Sequence, residues 1–371
     1  MIDNVHITLR DFSGDILSLK NCSFKGINKK KHCEVYNLVL ECGELGSPIK
    51  TKYYHSFGIE RYKRVNKIIV IGSIRKLCYN QTSLQDLTRD DFEKTIERLA
   101  EGLNIPLEEL LQGTITQCEI GLNVKTRISC KDIIPAIFKY GTKLGNRKTY
   151  PKDTKDETVY FKQKNRELII YDKVLQIDEE DWKEVGEMKN SEFLKPLYAK
   201  IREKHNNILR VEITLYNKKS FTQVGLGHIR IVKDLIDNYA DLYDFWTKEV
   251  RKIELYNKPE YSIDMSDKEY LFFKRISNTS NIEDVFEIIQ EYSEHCIAKK
   301  ANRAKEKSKV IEEVINFLYK YKPTEEYDNT KFRVDAFQKV IQMKKKRGEN
   351  IINSYMAVKN LLMKKSSKKG N

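Results

Sequence analysis

Three segments in the middle of the chain are predicted to be strands: the first and the last alternate apolar and polar side chains, as strands with one buried face do, and the middle one is an apolar run that ends in a tyrosine. They occupy residues 116–122, 168–175 and 209–215. Long stretches of other sequence separate them, so tight hairpins cannot join them directly. The spacing therefore predicts a sheet that brings together strands from distant parts of the chain, and it limits the fold class to one with a substantial, largely antiparallel sheet.

The polar positions of these strands carry the residues that could take part in catalysis or bind a metal. Alternation places Glu119 and Glu212 on the faces opposite the apolar side chains of their strands, and Tyr171 on the face opposite Leu168 and Ile170. Arg210 shares the polar face of Glu212, and Lys173 shares that of Tyr171. If the three strands are neighbours, two carboxylates, a tyrosine and two cations converge on one face of the sheet.

This combination suits the attack of a tyrosine hydroxyl on a DNA phosphodiester. A phenol with a pKa of about 10 is a weak nucleophile at neutral pH and needs a cation or a base beside it. Glu119 and Glu212 could hold Mg²⁺ or Mn²⁺, both of which prefer oxygen ligands and polarise a phosphate. Lys173 could stabilise the phenolate or a phosphate oxygen. Tyr171 would be the nucleophile, with a 5′-phosphotyrosyl link and a free 3′-hydroxyl as products.

The rest of the chain divides into a strand-rich part and a helical part. Further strands are predicted at 5–9, 32–40, 50–57, 67–74 and 158–161, the last forming a hairpin with 168–175. The strand of Glu119 is predicted to extend over 115–124. Helices are predicted after the N-cap Thr88, over 131–143 around Pro135, around 193–204 behind the acidic stretch 178–187, and over 229–252, 267–298, 305–322, 331–346 and 349–364. We therefore expect an α+β fold. Its sheet-based nuclease domain spans residues 1–256, and an all-helical basic domain spans 257–371 and ends in a disordered tail.

Positive charge is concentrated at the C-terminal end. The chain carries a net charge of +14, of which residues 299–371 hold +12 and residues 1–298 only +2. Such a concentration favours contact with nucleic-acid phosphates, although well-solvated helices of a lysine-rich protein would show the same composition. The expected DNA contacts are Arg210 and the run Lys344, Lys345, Lys346 and Arg347.

Several function classes are disfavoured by what the sequence lacks. No apolar run is long enough to span a membrane, and the first residues do not resemble an export signal, so we expect a cytoplasmic protein. The seven cysteines show no CxxC spacing and are expected to be free thiols. No two histidines form a His-x-His pair, and we expect packing or surface roles for His55 and His228.

With these residues in view, the chain resembles the gene II replication initiators of filamentous phages. More distantly, it is similar to the initiators of staphylococcal-type rolling-circle plasmids. The similarity lies in the Met-Ile-Asp start, the strand around Glu119, the Leu-Ile-Ile-Tyr-Asp-Lys strand of Tyr171 and the Leu-Arg-Val-Glu strand with its Lys-Ser-Phe continuation. A following helix with a late tryptophan, Trp246, also matches. The resemblance covers about residues 1–255, and Glu119 stands where the family has aspartate.

The resemblance implies a rolling-circle initiator that nicks one strand of a double-stranded origin through Tyr171 and later rejoins the displaced strand. Origin DNA, a host helicase and a polymerase are the implied partners, and the implied location is the cytoplasm of a bacterial host cell. Tyr160 is the candidate for a second tyrosine. A non-enzymatic DNA-binding replication regulator is the alternative, since the basic helices alone would serve it. A conjugative relaxase is a third possibility, which the missing histidine pair disfavours.

Overall fold

The computed structural model describes residues 1–19, 21–42, 53–79, 84–141, 143–144, 146–147, 158–176, 207–256, 259–277 and 327–345, together with isolated positions between 285 and 321. Within these residues the protein is a mixed α/β structure built on one large antiparallel sheet. No helix in the described part is long and apolar enough to cross a membrane.

The sheet has ten strands in the order β2-β3-β4-β5-β1-β6-β12-β11-β10-β9. The strands are β1 (Ile2–Arg10), β2 (Cys22–Asn28), β3 (Cys33–Cys42), β4 (Tyr53–Tyr62), β5 (Lys67–Ser73), β6 (Thr114–Lys125), β9 (Asn146–Arg147), β10 (Thr158–Lys162), β11 (Arg166–Asp172) and β12 (Ile208–Leu215). A separate three-stranded sheet pairs β7 (Ile137–Tyr140) with β8 (Lys143–Leu144) and β13 (Ile253–Leu255).

The helices are mostly short. They are α1 (Ile74–Tyr79), α2 (Arg89–Leu103), α3 (Leu107–Leu111), α4 (Cys130–Ala136), α5 (Lys218–Gln223), α6 (Val232–Asp237), α7 (Tyr239–Val250), α8 (Asp267–Ser277) and α9 (Tyr327–Lys345). Helix α2 begins as predicted, because the Thr88 side chain accepts a hydrogen bond from the Asp91 backbone N–H. It ends at Asn104, whose left-handed backbone (φ 52°) closes the last turn.

The apolar sides of the central strands form the main core. On β6 the inward residues Cys118, Ile120, Leu122 and Val124 are fully buried, as the alternation predicts. Strand β12 packs against α7, where Trp246 donates its indole N–H to the carbonyl of Val211 at 3.1 Å. The expected strand at 115–124 and the hairpin of 158–161 with 168–175 are confirmed in kind, with β11 ending at Asp172.

Three local predictions need correction. The segment 131–143 is helical only to Ala136 and continues as β7, because Ile137 and Tyr140 are buried where β7 pairs with β13. The single helix expected over 229–252 is two helices, α6 and α7, separated at Asn238. Strand β2 was not predicted at all, since its serine, lysine and glycine hide the alternation.

Some predicted elements lie outside the described residues. These are the acidic insertion 178–187, the helix around 193–204 and the helix over 349–364. The predicted helix over 331–346 is confirmed as α9, which begins four residues earlier at Tyr327, and α8 covers the start of the predicted helix over 267–298.

The basic C-terminal part contributes to both hydrophobic clusters of the described residues. Phe332, Ala336 and Val340 of α9 are buried in the main core with the sheet, so this helix packs on the strand-rich part. A smaller cluster unites Phe272 and Ile276 of α8 with residues between 285 and 321. The division at residue 256 stays a prediction, and the packing of α9 shows that the two parts are in contact.

Candidate functional site

The three strands singled out by alternation are close neighbours in the sheet. Strand β12 lies between β6 and β11, with Glu212 opposite Gly121 and Arg210 opposite Tyr171. Glu119 lies opposite Thr214 on the same face. Because directly paired residues of antiparallel strands point the same way, these side chains converge on one polar face, as predicted.

A third carboxylate joins the two that the sequence suggested. Carboxylate oxygens of Asp3, Glu119 and Glu212 all lie within 4.8 Å of one another. Asp3 and Glu212 are buried, while Glu119 is partly exposed. Three oxygen donors at this separation can share one divalent cation, so the donor set fits Mg²⁺ or Mn²⁺.

A β-bulge brings Asp3 to this face. Strict alternation along β1 would place Asp3 on the side of Val5 and Ile7, in the apolar core. The pairing of β1 with β6 shifts by one residue between Ile2 and Val5. The extra residue reverses the facing of the strand start, and Asp3 points to the carboxylates instead.

Arg210 forms ion pairs with two carboxylates of the cluster and with Asp86. Its guanidinium is completely buried and bonds Glu212 at 2.8 Å, Asp3 at 2.9 Å and Asp86 at 2.7 Å. A cation with three carboxylate partners holds their side chains in fixed positions, and without it they would repel one another. The expected contact of Arg210 with DNA is wrong for this structure, because a phosphate cannot reach a guanidinium that is 0% exposed.

Two further polar contacts secure Asp3. Arg75, at the start of α1, donates to its carboxylate at 2.8 Å, and the Ser73 hydroxyl donates to its other oxygen. The cations Arg75 and Arg210 hold the pKa of the Asp3 carboxyl well below its usual range against the cost of burial. Asp3 is therefore ionised, as a metal ligand must be.

Asp86 extends the network to the C-terminal helix. Besides Arg210, it pairs with Lys339 of α9 at 2.7 Å, and its oxygens accept the backbone N–H of Asn123 at 3.1 Å. Asp86 is fully buried, so both cations are needed to offset its desolvation. Helix α9 thus reaches the base of the carboxylate cluster through a single lysine.

The hydroxyl of Tyr171 points into the cluster. It donates a hydrogen bond to Glu212 at 3.1 Å and is only 9% exposed. Burial and then the negative charge of Glu212 raise the pKa of the Tyr171 phenol well above its ordinary value. A cation bound among the carboxylates would offset the charges of Glu212, Asp3 and Glu119 that contribute to this increase.

Lys173 lies beyond the end of β11, in a short helical turn. Its ammonium nitrogen is nevertheless 5.7 Å from the centre of the Tyr171 ring and bonds the Gln176 side chain at 2.6 Å. Burial, followed by repulsion from Arg75 and Arg210, lowers the pKa of Lys173 to about 7. Lys173 can therefore gain or lose a proton near neutral pH beside the tyrosine.

The pKa of Glu119 is shifted in the opposite direction to that of Asp3. Burial and the adjacent charges of Glu212 and Asp3 raise the pKa of the Glu119 carboxyl well above its usual range. Neighbouring carboxyl groups at this separation disfavour each other's ionisation unless a cation lies between them. The charge of a divalent ion would allow the carboxyls of Asp3, Glu119 and Glu212 all to ionise. Their electrostatics, like their separation, therefore fit a metal site.

Gly121 makes room for this arrangement. A side-chain carbon at this position would lie 2.7 Å from Cγ of Glu212 and 3.0 Å from Nη2 of Arg210. Glycine is therefore required for the close approach of both side chains to β6.

The other predicted residues are only partly accounted for. Lys344 is in α9, where its side chain is 16% exposed and pairs with Asp244 at 3.2 Å. Lys345 ends that helix, but its side chain is not among those described, and Lys346 and Arg347 lie outside the described residues. Their contact with DNA stays a prediction.

Tyr160 and the two histidines also have defined positions. Tyr160 is opposite Ile169 and is thus a diagonal neighbour of Tyr171 on the same face, about 7–8 Å away between Cα atoms. His55 accepts the backbone N–H of Ser73 at 3.2 Å, and burial lowers its pKa to about 4. His228 pairs at the surface with Asp241. Packing and surface roles fit both histidines.

Sequence reasoning missed Asp3, Arg75, Asp86 and Gly121. Asp3 stands in the Met-Ile-Asp start, which was noted only as part of the resemblance. The apolar alternation that follows it would place Asp3 on the core side of the strand, so the residue was not expected at the site. Arg75 lies in the first turn of α1 and Asp86 in the irregular segment before α2, where no periodicity marks them.

Comparison with known proteins leaves the family of the chain open. No protein-family model matches the sequence, and no curated protein is significantly similar to it. The functional argument therefore rests on the residues and their geometry.

Proposed function

We propose that this chain is a DNA-nicking and strand-transfer enzyme that initiates rolling-circle replication, with Tyr171 as its nucleophile. The observation that carries the proposal is the 3.1 Å contact of the Tyr171 hydroxyl with Glu212, one member of the three-carboxylate cluster. A tyrosine aimed at a potential metal site is the arrangement that phosphodiester transfer requires.

The proposed reaction exchanges one phosphodiester for another. The Tyr171 oxygen attacks the scissile phosphorus while its proton leaves along the hydrogen bond towards Glu212. The bond from phosphorus to the 3′ oxygen breaks, and that oxygen takes a proton from solvent. The DNA 5′ phosphate is then joined to Tyr171 and a 3′-hydroxyl is free to prime synthesis. Attack of a 3′-hydroxyl on the phosphotyrosine reverses the exchange and rejoins the strand.

Asp3, Glu119 and Glu212 would hold the divalent ion, and Mg²⁺ and Mn²⁺ both suit these oxygens. When bound, the ion supplies charge that stabilises the phosphate in the transition state. Arg210 and Arg75 position the carboxylates, and Lys173 places a titratable ammonium beside the Tyr171 ring. A protonated Lys173 favours the phenolate, and a neutral one can accept a proton.

In this proposal the strand-rich part, residues 1–256, is the nuclease domain and the basic helices of 257–371 assist DNA binding. The resemblance to phage and plasmid initiators points the same way. Origin DNA is the substrate, a host helicase separates its strands, and a host polymerase extends the free 3′ end.

The deciding experiment is a nicking assay on supercoiled plasmid carrying the origin region of the DNA that encodes this chain. We expect the wild-type protein to produce nicked circles with protein joined to the 5′ end, in the presence of Mn²⁺ or Mg²⁺ and not of a chelator. Tyr171→Phe should reduce nicking at least about a thousandfold, because it removes the attacking oxygen. Tyr54→Phe, at an exposed tyrosine of β4, is the matched control.

Two outcomes would change the assignment. If Tyr171→Phe nicks as fast as wild type, Tyr171 is not the nucleophile, and Tyr160→Phe is the next variant to test. If the wild-type protein binds the origin and never nicks it, the protein is a DNA-binding regulator without enzyme activity.

A further inference from the structure

Several turns of the large sheet meet at one of its ends. The hairpins β2–β3, β4–β5 and β10–β11 turn at residues 29–32, 63–66 and 163–165, and their registers place these turns level with the ends of β1 and β12. Residues 216–219 follow β12 at the same end. We call this end of the sheet the basic rim, comprising residues 10–11, 29–32, 62–67, 162–166 and 216–219.

The basic rim concentrates charge that the composition of the chain conceals. Its segments contain twelve lysines and arginines and a single acidic residue, a net charge of +11. Residues 1–298 as a whole carry only +2, so the remainder of that stretch is net negative. A generally lysine-rich surface would not produce this segregation.

Ion pairs between strands fix the first two turns relative to each other. Lys31 of the first turn bonds Glu60 of β4 at 2.6 Å, and Lys63 of the second bonds Glu34 of β3 at 2.6 Å. The turns are two strand spacings apart, about 10 Å. This leaves their other cations at a set spacing.

Arg166 pairs with Glu249 at 3.2 Å, whereas several other cations of the basic rim face outward. Within the described part of the chain, no carboxylate pairs with the exposed Lys29, Lys30 or Arg64. Lys164 of the β10–β11 turn is exposed in the same way. Exposed cations without internal partners raise the local positive potential and attract a polyanion.

We propose that the basic rim binds the sugar–phosphate backbone of double-stranded DNA beside the nicking site. The proposal rests on the proposed function in taking DNA as the partner, and it assigns the main contact to the sheet rather than to the C-terminal helices.

The chemistry of the turns favours duplex over single-stranded DNA. Proteins that hold single strands offer aromatic rings on which bases stack. The turns 29–32, 63–66 and 163–165 contain no phenylalanine, tyrosine or tryptophan. The two tyrosines of the basic rim, Tyr62 and Tyr216, are half-buried, and their hydroxyls bond Glu60 and Glu167. Cations without stacking rings read charge and shape, which suits a backbone contact without sequence preference.

The dimensions also fit. Seven strand spacings separate the first turn from the β10–β11 turn, about 34 Å, which equals about one turn of B-DNA. The twist of the sheet curves this path. Tyr171 is five residues from Arg166 along β11, about 17 Å from the basic rim, so a duplex held there lies close to the nucleophile.

The test measures how affinity for a short duplex without origin sequence depends on salt concentration, by fluorescence anisotropy. The variant Lys29→Gln/Lys30→Gln/Arg64→Gln removes three cations of the basic rim. The control Lys94→Gln/Lys131→Gln/Lys274→Gln removes three exposed lysines of α2, α4 and α8. Each phosphate contact contributes about 0.9 to the slope of log K against log salt, so the first variant should reduce the slope by about 2 to 3 and the control should not.

Equal slopes for the two triple variants would overturn the proposal. Stronger loss of single-stranded than of duplex binding in the first variant would overturn the choice of duplex DNA. The nicking assay separates this inference from the proposed function. If wild type nicks and the slopes are equal, only the basic rim assignment fails. If the slope falls while wild type does not nick, the DNA-binding surface stands and the enzyme proposal fails.

Discussion

The sheet carries two cationic regions that differ in burial. Arg75, Lys173 and Arg210 are no more than 1% exposed and lie among the carboxylates of the candidate site. Lys29 and Lys30 of the basic rim are exposed at the turn between β2 and β3. The same residue types therefore meet the protein's own anions in one place and solvent in the other.

Burial decides whether a cation pairs with the protein's own carboxylates or stays available to a ligand. A buried guanidinium must be paired, and its pairs fix the geometry of its partners. An exposed lysine contributes almost nothing to folding and stays available for phosphates. Charge counted along the sequence cannot distinguish these two cases, which is why Arg210 was wrongly expected to contact DNA.

Removing a buried cation should give the largest effect. We expect Arg210→Met to lower the free energy of unfolding by about 3–5 kcal/mol, because Asp3, Asp86 and Glu212 lose their shared partner. Lys30→Met should stay within about 0.5 kcal/mol of wild type. Urea unfolding followed by circular dichroism measures both. Similar losses in the two variants would contradict the contrast between the regions.

Lys173 provides a pH test of the same contrast. Its pKa is lowered from 10.5 to about 7 by burial and by Arg75 and Arg210, against the attraction of Asp3 and Glu212. Between these pH values the unfolded chain binds a proton that the folded protein does not. Folding is therefore favoured as pH rises, by up to about 1.4 kcal/mol per pH unit from this group.

Lys173→Met should remove that contribution, and the stability of the variant should rise less steeply than that of wild type between pH 7 and about 9.5. Lys30→Met is the exposed control and should keep the wild-type slope. Urea unfolding at a series of pH values measures the slopes. An unchanged slope in Lys173→Met would show that Lys173 titrates like a solvated lysine.

A smaller effect is expected from crowding the site. Gly121→Ala places a carbon 2.7 Å from Cγ of Glu212 and should cost about 1–3 kcal/mol, with weaker Mn²⁺ binding in calorimetry. Gly58→Ala in β4 is the matched control, since its added carbon would have no neighbour nearer than 3.9 Å. If Mn²⁺ binds both variants equally, the space beside Glu212 is not essential to the metal site.

The central part of the site could be predicted because it depends on period-two alternation. Glu119 and Glu212 lie on strands whose apolar faces are regular, and Tyr171 lies on the face opposite Leu168 and Ile170, so the face of each residue could be read directly. Strand adjacency was the additional assumption, and the order β6-β12-β11 meets it.

What the sequence did not reveal depends on breaks in that regularity. The bulge in β1 moves Asp3 to the polar face, and a bulge leaves no clear sign in an apolar alternation. Asp86 and Arg75 meet Arg210 and Asp3 only through contacts between distant segments. The basic rim was hidden for a related reason, since its turns are far apart in sequence and acidic residues between them cancel their charge in any count.

The pairing of Lys339 with Asp86 has a consequence for dividing the chain. A fragment ending at residue 256 would keep Asp3, Glu119, Tyr171 and Glu212 and would still lack α9. Asp86 would then lose one of its two cations, and the apolar surface that covers Phe332 would face water. A nuclease domain of residues 1–256 therefore depends on a helix from the C-terminal part for the surroundings of Asp86.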